Sequence, residues 1–196
     1  MKRRDLLSTG GMAAVAWALG CHNKEPKTPS TGLRPPQCEP TSSDMEGPFY
    51  PPSLPLKNGL YQNVGQRIVL SGIIQTSACI PLETGFIHLW HADQNGDYDL
   101  KNGVRNYTGQ QAIIDGKYNF ETLMPGAYAN GPNRFRPRHL HFKIQSNNQV
   151  LLTTQLYFAG DEYLRFEPHL PEERIVQLKS NQDGDLVGEF NFIVAV

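Results

Sequence analysis

The chain has no charge excess of one sign: 18 Lys and Arg stand against 19 Asp and Glu in 196 residues, and no basic stripe gathers them. That balance excludes the electrostatic footprint of a nucleic-acid binder. Long apolar runs are also missing. The small-residue stretch from Gly10 to Gly20 falls short of the roughly 20 residues that a membrane-spanning helix needs. No long segment keeps a helical apolar period, and no internal repeat is present. Cysteine is scarce, with three residues, none at the spacing of a metal knuckle. Punctuation, by contrast, is abundant. The 18 Gly and 15 Pro are spread through the chain and favour an all-β domain with many turns.

Three segments follow in order. Residues 1–21 carry a basic start, Lys2-Arg3-Arg4, then a short apolar run ending at Cys21, which reads as an export signal. The adjacent arginines resemble a twin-arginine signal, and an ordinary secretory signal is the other reading. Ala18-Leu19-Gly20-Cys21 resembles a lipobox, with Ala18 where Leu is usual. Two outcomes stand open there: a membrane tether through a lipidated Cys21, or ordinary cleavage nearby. Either places the protein outside the bacterial cytoplasm, in the periplasm or on a membrane. Residues 22–40 are polar and Pro-rich and read as a linker. The globular domain is expected over 41–196. The chain's two remaining cysteines, Cys38 and Cys79, are an even pair in an exported chain and invite a disulfide that pins the start of the domain to the loop after its first strand; two separate thiols are the alternative.

The chemistry centres on Met124–Ile144. His139 and His141 alternate with Leu140 and Phe142, and a strand places residues two apart on one face. Such a His pair can hold a transition metal, with zinc the first expectation. Tyr128, beyond the turn Pro125-Gly126-Ala127, changes that expectation. A phenolate is a hard anionic oxygen suited to a hard trivalent ion, and a phenol of ordinary pKa about 10 needs a cation to ionise it at neutral pH. Other residues read more plainly. His88 and His91 fall on opposite faces of the strand Gly85–Ala92 and read as structural or exposed, and Trp90 reads as core. Asp93 to Asp99 has the spaced acids of a calcium loop but lacks its Gly at the sixth position and its Glu at the twelfth. Tyr50 and Tyr61 read as packing or wall residues, Tyr157 as packing, residues 102–111 as a polar loop, and His169 as having no role.

Tyr128, Gly131-Pro132-Asn133, Arg136-Pro137 and His139-Leu140-His141-Phe142 together resemble the iron-site signature of the intradiol ring-cleavage dioxygenases (protocatechuate 3,4-dioxygenase and catechol 1,2-dioxygenase type). That family's pattern is a Tyr, a Gly-Pro-rich loop, then Arg-Pro-x-His-[Ile/Leu]-His-Phe. Glu46-Gly47-Pro48-Phe49-Tyr50 is similar to a segment near the start of its catalytic domain. Trp90-x-Ala92-Asp93-x-x-Gly96-x-Tyr98 fits a second motif, and Thr154-Gln155-Leu156-Tyr157-Phe158-x-Gly160-Asp161 a third, although the interval from His141 to Gln155 is slightly shorter than the family's.

The resemblance implies an antiparallel β-sandwich whose long loops carry the site. It implies one Fe(III) per chain, held by Tyr98, Tyr128, His139 and His141. It implies a small catecholic substrate and O2, with the ring opened between its two hydroxyl-bearing carbons to a muconate-type diacid. Tyr128 would leave the iron and take a substrate proton, Arg136 would lie over the substrate as a fixed cation, and Gln155 would line the pocket. A surface carboxylate partner is the plainer reading of Arg136. Arg138, where the family commonly has a small residue, either reshapes the pocket mouth or faces water. The resemblance is compatible with a homo-oligomer and with a second kind of chain. Two other functions remain for the His pair and the domain: a zinc hydrolase, which needs a third classical ligand, and a non-catalytic β-sandwich lipoprotein that binds a partner.

Overall fold

The computed structural model describes residues 37–98 and 106–196. The expected export signal, the possible lipidation at Cys21 and most of the linker lie outside them. The long strands are β1 (Arg67–Thr76), β2 (Thr84–Trp90), β3 (Thr108–Ile114), β4 (Lys117–Leu123), β7 (His139–Ser146) and β8 (Gln149–Phe158). Short ones are β5 (Tyr128–Ala129), β6 (Phe135–Arg136), β9 (Ile175–Val176), β10 (Lys179–Ser180), β11 (Leu186–Glu189) and β12 (Phe192–Val194). Residues 108–111, expected in a loop, belong to β3, because Thr108–Gln111 pair in register with Ile87–Trp90. The glutamines gave no strand signal; their pairing is set by β2, a long-range partner.

Turn chemistry fixes the hairpins. Asp115-Gly116 and Asn147-Asn148 all have positive φ, the geometry of two-residue hairpin turns that matches strand twist. Ten strands form one sheet in the order β10-β11-β1-β4-β3-β2-β7-β8-β9, with β12 also on β1, and β5-β6 is a separate ribbon. The long strands pair antiparallel, as expected. Three short pairings, β1 with β11, β1 with β12 and β8 with β9, are parallel. One edge of β1 thus serves two partners. The changeover lies at Gly72, where a Cβ would sit 1.9 Å from the Phe190 carbonyl oxygen, and Asn191 Oδ1 accepts from Ile73 N at 2.8 Å.

The sheet curls on itself. Phe120 on β4 and Phe142 on β7 are three places apart in the strand order, yet their ring centroids are 6.3 Å apart. Ile68, Leu70, Leu89, Phe120, Phe142, Leu156 and Phe192 share one buried cluster. The result is an all-β, sandwich-like fold whose stability rests on that apolar burial.

β7 carries both structure and site. Leu140, Phe142 and Ile144 enter the core, while His139, His141 and Lys143 are buried on the opposite face. Register sets Trp90 of β2 and Gln155 of β8 on either side of His141. Gln155 thus stands opposite His141 despite the short interval, because the tight Asn147-Asn148 turn closes the hairpin and a register shift at Ile144/Gln145 takes up the difference.

The segment 41–50 crosses over this face. Asp44 N donates to Thr153 O, Gln155 Nε2 donates to Met45 O at 2.8 Å, and ion pairs join Arg174 to Asp44 and Lys143 to Glu46. Cys38 and Cys79 form a disulfide with Cα atoms 5.3 Å apart, closing a separation of 41 residues. Replacing both by Ser is expected to lower unfolding stability by about 2–4 kcal/mol, because the open chain regains loop entropy; equilibrium denaturation of oxidised wild type and double variant measures it. Among the described residues no helix is long and apolar enough to cross a membrane.

Candidate metal centre

Two loops bring phenols to the β7 histidines. The turn after β2 is built on Asp93, whose Oδ1 accepts from Asn95 N at 2.8 Å and Asp97 N at 3.0 Å. The acid that resembled a calcium ligand therefore holds a turn. Asp93 O also accepts from Gly126 N at 2.7 Å. Gly96 has φ +85°, and a Cβ there would meet Ala127 O at 2.6 Å. Only glycine permits this contact, which locks the loop of Tyr98 onto that of Tyr128.

The four residues expected to be ligands converge. Tyr98 Oη lies 3.1 Å from His141 Nε2. The Tyr98 and Tyr128 rings meet edge-on at 5.9 Å. Tyr128 and His139 rings are 5.6 Å apart, and His139 and His141 4.8 Å. His139 Nδ1 is 2.6 Å from Pro137 O, so this nitrogen carries the proton and donates. The lone pair is thereby placed on Nε2, which is buried with no partner. Trp90 stacks on His141 at 4.9 Å and 13°.

Burial pushes the His139 pKa down to about 4, the nearby Arg136 cation adding to the effect, and holds His141 well below the ordinary imidazole value. Both rings are neutral at pH 7, with lone pairs available. Burial, then Tyr128, raises Tyr98 above the usual phenol range. Burial also raises Tyr128, against the pull of Arg136. The phenols therefore ionise only if strong positive charge arrives. A buried imidazole nitrogen without a partner, beside two ionisable oxygens, is a donor set that fits a hard trivalent cation. Among the described residues, no three His, Cys, Asp or Glu side chains gather to hold a metal, so the third ligand that a zinc hydrolase needs is not supplied there.

Beside these groups opens a cleft of about 590 Å³, lined by Met45, Pro48 and Phe49 together with Tyr98, Tyr128 and Arg136. Phe49 stacks on Tyr98 at 4.1 Å. Arg136 Nη2 donates to Gln155 Oε1 at 2.7 Å and to Tyr157 Oη at 2.9 Å. Its Nε lies 2.9 Å from Glu167 Oε1, an ion pair without the alignment of a hydrogen bond.

Comparison with known proteins agrees with this picture. The family model described as Dioxygenase matches residues 45–192. The protocatechuate 3,4-dioxygenase beta chain of Burkholderia cepacia is 30% identical over 161 residues, covering 71% of this chain and 68% of that one. A chlorocatechol 1,2-dioxygenase of Rhodococcus opacus is 26% identical over 185 residues, 79% of this chain and 72% of its own length. Among solved structures, the dioxygenase domain of a dioxygenase–carbohydrate-binding fusion from Streptomyces sp. SirexAA-E superposes with a TM-score of 0.71 at 31% identity, covering 81% of this chain and 99% of that one. The chain belongs to the intradiol ring-cleavage dioxygenases. These are oxidoreductases that open aromatic rings with O2.

The other residues singled out in the sequence take the following places. Gln155 is fully buried behind Arg136 and does not wall the cleft; a strand position in register with His141 faces the site, but Arg136 covers it. Arg136 lines the cleft and pairs with the Glu167 carboxylate. Arg138 is 43% exposed, its side chain 4.0 Å from Asp161, and it faces water. His91 is buried between Ala92 O and Thr122 Oγ1, and His88 Nδ1 meets Tyr50 Oη at 2.8 Å; both are structural. Tyr157, read as packing, is also a hydrogen-bond partner of Arg136 and Gln155. Phe49 and Glu167 escaped notice. Phe49 sits inside a recognised motif and could have been read as a wall residue, whereas Glu167 lies in a polar, irregular stretch with no local signal.

Proposed function

We propose that this enzyme binds one Fe(III) through Tyr98, Tyr128, His139 and His141 and cleaves a catechol between its hydroxyl-bearing carbons, both atoms of O2 entering a muconate-type diacid. The observation that carries this is the convergence of the partnerless His139 Nε2 with His141 and two phenols in one buried place. Ferric iron there supplies the positive charge that ionises the phenols and the Lewis acidity that activates the catechol.

The rest is the work of the chain. Pro137 O fixes the His139 ring and its tautomer. Trp90 and Gly47 restrain His141; a Cβ on Gly47 would stand 3.3 Å from His141 Cε1. Tyr128 is half-buried on the cleft wall, where its Oη can accept a catechol proton as substrate enters. Arg136, held by Gln155, Tyr157 and Glu167, presents a fixed cation at that wall, where negative charge develops on the ring. Met45, Pro48 and Phe49 offer apolar surface to the ring.

The purified protein is expected to contain iron and to show the visible phenolate-to-iron charge-transfer band. Tyr128→Phe shifts that band and slows turnover. Metal analysis showing zinc, or colourless iron-bound protein, would overturn the assignment. The proposal includes export through segment 1–21 to the periplasm, or to a membrane through Cys21 and the tether 22–40; the Cys38–Cys79 disulfide supports an oxidising compartment.

A further inference from the structure

The charges around the cleft bear on which catechols it admits. Arg136 is the cation on the wall, and Asp97, exposed at the rim, is an anion. Arg136 already has a carboxylate partner, because Glu167 sits on its Nε. Glu167 is held there by structure. Its N–H donates to Leu164 O at 2.9 Å and its carbonyl accepts from Leu170 N at 3.0 Å. The 3-10 turn Glu162–Phe166 that precedes it is capped by Asp161, whose Oδ1 accepts from Tyr163 N. That turn is docked on β6, the strand of Arg136, by the stack of Tyr163 on Phe135 at 4.8 Å and by Arg134 Nη2 donating to Phe166 O at 3.3 Å. Arg138, two residues on, is turned to Asp161. Among the described residues that line the cleft, the one cation, Arg136, is thus compensated, and Met45, Pro48 and Phe49 supply apolar surface.

We infer that Glu167 is a specificity-determining residue: by neutralising Arg136 it restricts the site to catechols without an anionic ring substituent, and it discriminates against carboxylated ones. The inference rests on the proposed catechol cleavage. Physically, a ring carboxylate entering this cleft gives up water, passes Asp97 at the rim and meets, in Arg136, a cation already paired with Glu167, so its charge is desolvated against a weakened partner. A methyl or unsubstituted ring loses nothing by the same move and gains contact with the Met45, Pro48 and Phe49 wall. Arg136 can then serve the charge that develops during reaction instead of binding a charge already present in the substrate.

The test uses two substrates of similar size, 4-methylcatechol and 3,4-dihydroxybenzoate, with full-length iron-loaded protein. In wild type, kcat/KM for the methyl compound should exceed that for the carboxylate by about tenfold or more, the order of one unpaired charge in a partly buried site. Glu167→Gln should lower that ratio by about tenfold, chiefly through a lower KM for the carboxylate, as unmasking of Arg136 requires. Glu167→Asp should stay on the wild-type side. The ratio cancels any loss of rate common to both substrates. A wild-type ratio at or below unity, or a ratio unmoved in Glu167→Gln, overturns the inference. Calorimetric dissociation constants for the same two compounds separate it from the function it rests on. Cleavage of neither with tighter binding of the methyl compound sinks the catechol-cleavage reading and keeps the charge selectivity; binding of neither sinks both.

Discussion

A folded, colourless, iron-free protein is the expected result of His139→Ala. The side chain is 2% exposed and its Nε2 has no protein partner, so its removal deletes a donor without breaking a contact on that side. Nδ1 gives up its hydrogen bond to Pro137 O, a loss of about 1 kcal/mol. Removing a mere orienting partner of a metal ligand typically costs about 10–100-fold in affinity or activity; loss of the ligand itself should exceed about a hundredfold in turnover on that scale. His91→Ala is the matched control. His91 is equally buried, but its nitrogens serve Ala92 O and Thr122 Oγ1. That variant should lose stability and keep its iron. Metal content after dialysis, the visible band and circular dichroism on the pair decide the matter. Retention of stoichiometric iron by the His139 variant would falsify the ligand set.

Arg136→Gln should be the next most damaging change. Truncating one preorganised electrostatic group typically lowers kcat by about 10²–10³. The same change strands Glu167, whose side chain is 24% exposed, so part of any defect is structural. Adding Glu167→Gln removes the stranded charge. The double variant should recover the stability lost by Arg136→Gln while kcat stays low. Full recovery of kcat would show that Arg136 matters only as a partner for Glu167. Thermal melts and steady-state kinetics on the two single variants and the double variant read both quantities.

Short-range rules reached much of this site. The face shared by His139 and His141 follows from strand alternation alone, whereas the turn expected at Pro125-Gly126 is a stretch of irregular backbone, residues 124–127, between β4 and β5. The closeness of Tyr98 to His141 does not follow from any local rule. It depends on Asp93 gripping Gly126 and on Gly96 tolerating the Ala127 carbonyl, contacts between segments some 30 positions apart, so the motif resemblance alone made Tyr98 a candidate. Trp90 was read as core, and so it is, yet its stack on His141 required the β2–β7 register. Three parallel pairings at the sheet edges were illegible for the same reason: β9, β11 and β12 are two to four residues long, too short for any periodic pattern. Glu167 lay furthest beyond reach, because a lone acid in an irregular stretch gains meaning only from the strand it docks against.

Tyr128 and Arg136 are cross-strand neighbours in the two-stranded ribbon formed by β5 and β6, which stands apart from the main sheet. His139 and His141, by contrast, are fixed in the middle of that sheet. The nitrogen half of the centre is thus an anvil, and the phenol and guanidinium share one small ribbon whose pairing sets the spacing of proton acceptor and cation, while Gln155 and Tyr157 moor the guanidinium to the anvil.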